Sequence, residues 1–329
     1  MTARLQDLFG LRYPICQAPT GSIAGPELAA AVSSAGALGA MALTWASPEG
    51  AAELVHRVRQ ATTAPFQVNY ALYKPPLSLR SALDAGAPVV TFSWGDPAPY
   101  SAQVRAAGAK FGVQVANAAG ARRAVDLGAD FLVCQGVEAG GHVQSTTPLG
   151  DLLPRVLEAA GGLPVVASGG IGDGEGIASV LALGADAAML GTRFVATRES
   201  GAHLAYKERL TQASAGETAL TVCFDGDWPY AAHRVLRNGT LERWEASGCP
   251  PRGQRPGEGE TVGQTASDEP IGRYDDTAPR LGMSGDVLDM ALYAGTSSAV
   301  IGDIPPAGAL VVRLWEECEQ ALAQAGGTR

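Results

Sequence analysis

The sequence predicts an α/β chain folded as a (βα)8 TIM barrel, with a small inserted domain and helices that return to the barrel at the C-terminus. Three observations predict it. A helix-like stretch, a glycine stop and a short apolar run recur through the first part of the chain; the apolar runs are continuous rather than alternating; and there are eight of them. Glycine just past a helix takes the left-handed conformation that ends it, and a continuous apolar run suits a parallel strand covered on both faces. Eight consecutive units in about 200 residues favour a closed barrel over an open doubly wound sheet.

In chain order the runs are 14–18, 39–43, 66–72, 89–94, 111–116, 131–135, 164–168 and 187–190. Gly36, Gly86, Gly108, Gly128, Gly161, Gly162 and Gly184 stand between helix-like stretches and the runs that follow. Local signals support the helices: Ser47 is placed to cap one, Pro48 to open it, and Arg57 and Arg59 lie near its C-terminal end. After Ser200 the pattern changes to a helix at 203–212, a short apolar run at 219–223 and a Gly-, Pro- and acid-rich stretch at 248–285. We read 201–282 as a small substrate-side domain inserted between barrel segments 1–200 and 283–329. Helices are expected again at 286–293 and 305–325, the latter with Val311, Leu314, Cys318 and Leu322 at helical spacing.

Composition limits what such a chain does. Of 329 residues 42 are glycine, well above the usual ~7%, yet 46% are apolar and no three-residue period runs through them. The chain is therefore expected to be globular. With 24 basic against 33 acidic side chains the net charge is −9, the wrong sign for neutralising phosphate backbones or anionic lipid, so neither nucleic acid nor membrane is an expected partner. Five scattered cysteines without a Cys-x-x-Cys pair argue against a disulfide framework or a zinc site. The N-terminus has no apolar signal-peptide core, and no uncharged stretch suits a membrane span. A reduced, cytoplasmic location is expected, with oligomeric state left open.

Barrel sites form where the strands end, and the loops after the seventh and eighth strands commonly hold phosphate. Here those loops read Ser168-Gly169-Gly170-Ile171-Gly172-Asp173 and Gly191-Thr192-Arg193, offering small residues and free N–H groups to an anion. The sixth strand runs into Gln135-Gly136-Val137-Glu138-Ala139-Gly140-Gly141-His142. Gly140 and Gly141 let backbone approach a flat ligand, and His142, titrating near neutral pH, is the candidate catalytic residue. Glu138 reads equally as a base or a loop charge. Gln17-Ala18-Pro19-Thr20, Asn69, Gln114 and Gln135 bring further polar groups to strand ends, with Lys110 at the start of the fifth strand. Buried amides need partners, at about 1–3 kcal/mol each, and a heteroaromatic ring with several donors and acceptors would satisfy them together.

QAPT at 17–20, PELAAAVSSAGALG at 26–39, TFSWGDP at 91–97, QGVEAGGH at 135–142, PVVASGGI at 164–171, ALGADAAMLGTRF at 182–194 and YAGTSSAVIGDIPPA at 293–307 together resemble the nitronate monooxygenase family. The resemblance extends over nearly the whole chain, including Trp228-Pro229-Tyr230 and His233-Arg234-Val235 in the inserted region. It implies an FMN-binding barrel that oxidises alkyl nitronates with O2 to a carbonyl compound and nitrite. It also implies that Gln17, Asn69, Lys110 and Gln135 contact the flavin, that Ser168, Gly169, Gly170, Gly191 and Thr192 hold its phosphate, and that His142 faces the substrate. Ala18, Pro19, Gln114, Gly140 and Gly141 complete the expected cofactor site. Thr20, where the family usually has Met, and Thr296, where it usually has Gln, depart from the pattern. The rival readings are an NAD(P)H-dependent quinone or enoyl-thioester reductase on the same barrel, a flavin-free isomerase or lyase acting on a sugar phosphate, and a non-enzymatic binding protein. No GxGxxG follows a strand to supply a second nucleotide site, and amides rather than paired carboxylates occupy the strand ends.

Overall fold

The computed structural model describes residues 4–226 and 228–326. Positions 1–3 and 327–329 of the predicted barrel segments, and Asp227 of the predicted insert, lie outside the described residues. One parallel sheet holds β1 (Ile15–Gln17), β2 (Gly39–Ala42), β3 (Phe66–Ala71), β4 (Val89–Ser93), β5 (Lys110–Val115), β6 (Phe131–Gln135), β8 (Val165–Ser168) and β9 (Ala187–Leu190), with the two-residue β7 (Gly141–His142) outside it. Its order is β1-β9-β8-β6-β5-β4-β3-β2. Leu38 brings the two ends together: its N–H donates to the Ile15 carbonyl and its own carbonyl accepts from the Gln17 N–H, both at 2.9 Å. This is the TIM barrel the sequence predicts.

The continuous apolar runs follow from two-sided burial. Alternate residues of the strands, such as Val68, Tyr70, Val90, Phe92, Leu132 and Cys134, pack under the surrounding helices. The residues between them fill the barrel from its N-terminal end, where Cys16, Val89, Phe131, Val133, Val166, Ala187 and Met189 meet Leu5 and Leu11. Each large side chain in this plug contributes about 1.5–3 kcal/mol through burial. The helix Arg4–Phe9 closes that mouth, with Phe9 edge-on to Phe131 at 5.3 Å. Gly112 makes room for the Phe131 ring, since a Cβ there would lie 2.4 Å from it. Apolar packing stops below Asn69, Gln114, Gln135 and Ser168, so the opposite, C-terminal mouth is polar.

The glycine stops adopt the expected conformation, for example φ +91° at Gly86 and +104° at Gly184. The predicted last helix is the helix Ala307–Gly326, which packs on the helices Gly174–Ala182 and Pro26–Ser34. The helix expected at 286–293 is a correction: only a 3-10 turn, Val287–Asp289, forms there. The carbonyls a helix would use are already engaged. Leu288 and Met290 accept from Asn238 Nδ2, Asp289 from Thr240 Oγ1, and Leu292 from the Leu236 N–H.

The region after the barrel strands carries the helix Leu204–Thr211 and the strands β10 (Thr218–Thr221), β11 (His233–Leu236), β12 (Thr261–Gln264), β13 (Pro270–Gly272) and β14 (Ser284–Gly285). β12 lies between β13 and β14, so this small sheet runs past position 282. β11 pairs with β10 on one side and with β7 on the other, opposing His233 to His142. That pairing ties the region after the barrel strands to the loop after β6, and hence to the barrel mouth.

Candidate active site

A cavity of 460 Å³ opens at the C-terminal ends of the strands. Its barrel side presents Ala18, Pro19 and Thr20 after β1, Asn69 on β3, Gln114 on β5, Gln135 on β6, Ser168 at the end of β8 with Gly169 and Gly170 after it, and Gly191 and Thr192 after β9. Residues that follow β9 in the chain supply the other wall through Tyr206, Trp228, Asp276, Arg280 and Tyr293.

The strand-end amides are only half used by the protein. Asn69 Nδ2 donates to the Thr91 carbonyl and hydroxyl at 3.2 and 3.1 Å. Gln135 Oε1 accepts from Gln114 Nε2 and from the Gln144 N–H, both at 3.2 Å, and Gln114 Nε2 also donates to Gln144 Oε1 at 2.9 Å. Asn69 Oδ1, Gln114 Oε1 and Gln135 Nε2 keep no hydrogen-bond partner among the described residues. The Thr20 hydroxyl is buried without a partner as well. Donors and acceptors thus face the same space.

Glycines line the next part of the wall. Gly169 and Gly170 have φ of +111° and +71°. A Cβ on Gly140 would stand 2.4 Å from the Gly295 nitrogen, so the loop after β6 touches the segment at 295 backbone to backbone. Thr192 Oγ1 accepts from the Gly295 N–H at 2.9 Å, and the Glu138 carbonyl accepts from the Thr296 N–H at 3.0 Å. The loops after β6, β8 and β9 therefore converge with a segment the sequence reading did not place there, and Gly295 and Ser297 join the cavity.

His142 is fixed by the β7–β11 pairing and enclosed by rings. The Trp228 indole stacks on it at 4.4 Å and 23°, and Trp94 meets it edge-on at 6.2 Å. Tyr73 stacks on Trp228 in turn, at 3.7 Å. Burial, aided by nearby His233, pushes the His142 pKa down to about 3 from the ordinary 6.5. The imidazole is neutral at physiological pH, and its Nε2 is buried without a hydrogen-bond partner. His233 has a different role: Nδ1 donates to the Ala231 carbonyl while Nε2 accepts from the Phe224 N–H, which holds it neutral and structural.

Two expectations change, and the open reading of Glu138 closes. Lys110 stands at the N-terminal end of β5, about 16 Å of strand from the mouth, and its ammonium pairs with Asp130 at 2.9 Å. It lies outside the cavity wall. Gln17 shares a strand face with Ile15, so it points away from the interior that Cys16 and Ala18 enter; its amide bonds to the Ala18 carbonyl and the Ala40 N–H instead. Glu138 is no base: its carboxylate accepts from the Leu149 N–H and caps the helix Leu149–Ala159. Gln144, Trp94, Tyr73 and Arg280 were missed. Only Gln144 left a clear signal, standing two residues beyond His142 and so on the same face of an extended chain.

A parallel barrel with a glycine-lined cradle, half-satisfied amides and a neutral histidine at its mouth has the form of a cofactor-using barrel oxidoreductase. A family model described as nitronate monooxygenase matches residues 2–78 and 77–317. The chain belongs to the nitronate monooxygenase family and is a flavin-dependent oxidoreductase. It is 38% identical over 302 residues to a nitronate monooxygenase of Pseudomonas aeruginosa, covering 76% of this chain and 84% of that one. It is also 35% identical over 255 residues to the (3aS,4S,5R,7aS)-5-hydroxy-7a-methyl-1-oxo-octahydro-1H-indene-4-carboxyl-CoA dehydrogenase of Mycobacterium tuberculosis, covering 76% and 70%. Among solved structures it is similar to FabK from Thermotoga maritima, with a TM-score of 0.86, 30% identity and full coverage of both chains.

Proposed function

We propose that the chain is an FMN-dependent nitronate monooxygenase that oxidises alkyl nitronates, and more slowly nitroalkanes, with O2 to a carbonyl compound and nitrite. The observation that carries this reading is His142, whose Nε2 lies buried and unpartnered beside the strand-end amides. The residues present fit a flavin. Asn69, Gln114 and Gln135 would hold the edges of its ring, with Ala18 and Pro19 against it. Ser168, Gly169, Gly170, Gly191 and Thr192, joined by Gly295 and Ser297, would hold its phosphate, where Gly140 and Gly141 let backbone come close. Bound there, the flavin supplies the electron transfer between substrate and O2.

The protein's own part is placement and proton control. Neutral His142 donates one ring N–H to a nitronate oxygen, while Trp94 and Trp228 exclude water from the imidazole. Its depressed basicity makes it a poor acceptor for the α-proton of a nitroalkane, which favours a substrate that is already ionised. The insert serves as the substrate-side wall. Free thiols at all five cysteines support a reducing, cytoplasmic setting.

The test is aerobic turnover of ethyl nitronate, reading O2 uptake and nitrite, with the released flavin identified by chromatography. FMN and nitrite production that falls at least about a hundredfold in His142→Ala are expected. Full turnover in that variant would refute the assignment of His142. The similarity to a dehydrogenase favours one second reading, a reductase or dehydrogenase that exchanges hydride with a nicotinamide. NADH oxidation without nitronate turnover would select it.

A further inference from the structure

We infer that Gln144 is a positioning residue: its backbone N–H and side-chain oxygen fix which way the amides of Gln114 and Gln135 face. They thereby set the order of donor and acceptor that the cavity offers a bound ring. This second step rests on reading the cavity as a flavin site. Gln114 and Gln135 line the cavity from the neighbouring strands β5 and β6, and Gln144 touches both while lying outside the lining.

An amide side chain can exchange its oxygen and nitrogen by turning over, so its direction is set by partners whose roles are fixed. The Gln144 backbone N–H is such a partner, because it can only donate, and it lies 3.2 Å from Gln135 Oε1. Gln135 therefore presents its oxygen there and keeps Nε2 as a free donor. Gln114 meets the same oxygen at 3.2 Å, so it presents Nε2 and keeps Oε1 as a free acceptor. Gln114 Nε2 also donates to Gln144 Oε1 at 2.9 Å, the shortest of the three contacts. Turning Gln114 over would set its oxygen against two others. One backbone N–H thus dictates the direction of two wall amides, and the Gln144 oxygen locks the second.

Gln144 is itself held from both sides. Just before it, the Val143 N–H donates to the Ala232 carbonyl beside the β7–β11 pairing, so the next N–H along the extended chain turns the other way, toward β6. Just after it, Ser145 Oγ accepts from the Thr147 N–H, and the Thr147 carbonyl accepts from the Val137 N–H. The result is a donor on β6 beside an acceptor on β5. A ring edge that carries an N–H beside a carbonyl, as a flavin's does, would meet this order with its N–H toward Gln114 and its carbonyl toward Gln135. Hydrogen bonds of this kind hold a flavin and tune its electronics.

The test uses Gln144→Met, which keeps the length and loses the acceptor, and Gln144→Glu, which keeps an acceptor oxygen. The first readout needs no cofactor. In isotope-labelled full-length apoprotein, the Gln114 side-chain amide protons, assigned with Gln114→Leu, are expected to exchange with water at least about fivefold faster in Gln144→Met and as slowly as wild type in Gln144→Glu. The second is titration of the apoprotein with FMN, followed by flavin fluorescence and visible circular dichroism. The dissociation constant is expected to rise about fivefold or more in Gln144→Met, with an altered dichroism band, and to recover in Gln144→Glu. Unchanged amide exchange in Gln144→Met would overturn the assignment, as would equal losses in both variants, which would mean that packing and not an acceptor is at work. Faster exchange with FMN binding and dichroism as in wild type would overturn the link to the ring. Wild type that takes up no FMN while the exchange results come out as expected would sink the flavin reading and leave the amide clamp standing.

Discussion

Trp228, from the region after the barrel strands, lies stacked on the imidazole of His142 with ring centroids 4.4 Å apart. The contact joins a residue from beyond the barrel strands to one at the barrel mouth, and it helps to keep His142 away from water. The basicity of His142 therefore depends on a side chain 86 positions away in sequence.

Replacing Trp228 with Ala should re-expose the imidazole. The His142 pKa is expected to climb from about 3 toward 6.5, because burial is the main cause of its depression. NMR titration of the four histidines checks this, with His142→Gln assigning the resonance. A His142 pKa that stays near 3 in Trp228→Ala would show that the indole contributes little to the desolvation.

The same depression links stability to pH. Between about 6.5 and 3 the unfolded chain binds the His142 proton and the folded chain does not, so stability is full above 6.5 and falls as pH drops. From pH 6.5 to 5 the loss from this group is about 2 kcal/mol, less whatever access the cavity gives to water. His233, also depressed by burial, acts in the same direction. Urea unfolding at pH 7.5 and pH 5 should show a smaller difference for His142→Phe than for wild type.

Gly140→Ala should separate cofactor binding from folding. Its Cβ would fall 2.4 Å from the Gly295 nitrogen, pushing apart two loops that line the cradle. Flavin affinity is expected to fall by about tenfold or more, since a displaced backbone forfeits at least one hydrogen bond to a charged group. Flavin retained through dialysis as in wild type would remove Gly140 from the cradle.

Lys110→Met should leave flavin content and spectrum unchanged. The lysine side chain is half-exposed at the far end of the barrel, and losing its pair with Asp130 costs at most about 1 kcal/mol. Gln135→Leu, by contrast, removes an amide from the cavity wall and is expected to weaken flavin binding.

The barrel was legible because burial on both faces writes each strand as an unbroken apolar run, bounded by glycines such as Gly86 and Gly184 that the chain needs at positive φ. The barrel half of the site was legible for a related reason: Asn69, Gln135, Ser168 and Gly191 stand where strands end, and the fold fixes that end as the mouth. The same rule places Lys110 at the wrong end, and the alternation from inward Cys16 places Gln17 on the wrong face. Both corrections were readable from strand direction and period. Trp228, Tyr293 and Arg280 were not readable in that way, since they reach the cavity only through the β7–β11 pairing and the bridge from Arg280 to Ala202. The helix expected at 286–293 failed because Asn238 and Thr240, about 50 positions earlier, claim its carbonyls.

The central claim is that this cavity oxidises a nitronate through a bound flavin. The most direct measurement mixes the purified holoprotein anaerobically with ethyl nitronate, and separately with NADH, while following the visible flavin band. Loss of the oxidised band with the nitronate, its return on admitting air and no change with NADH are the results expected. A band untouched by the nitronate and bleached by NADH, or a protein that holds no flavin even after incubation with FMN, would contradict the account.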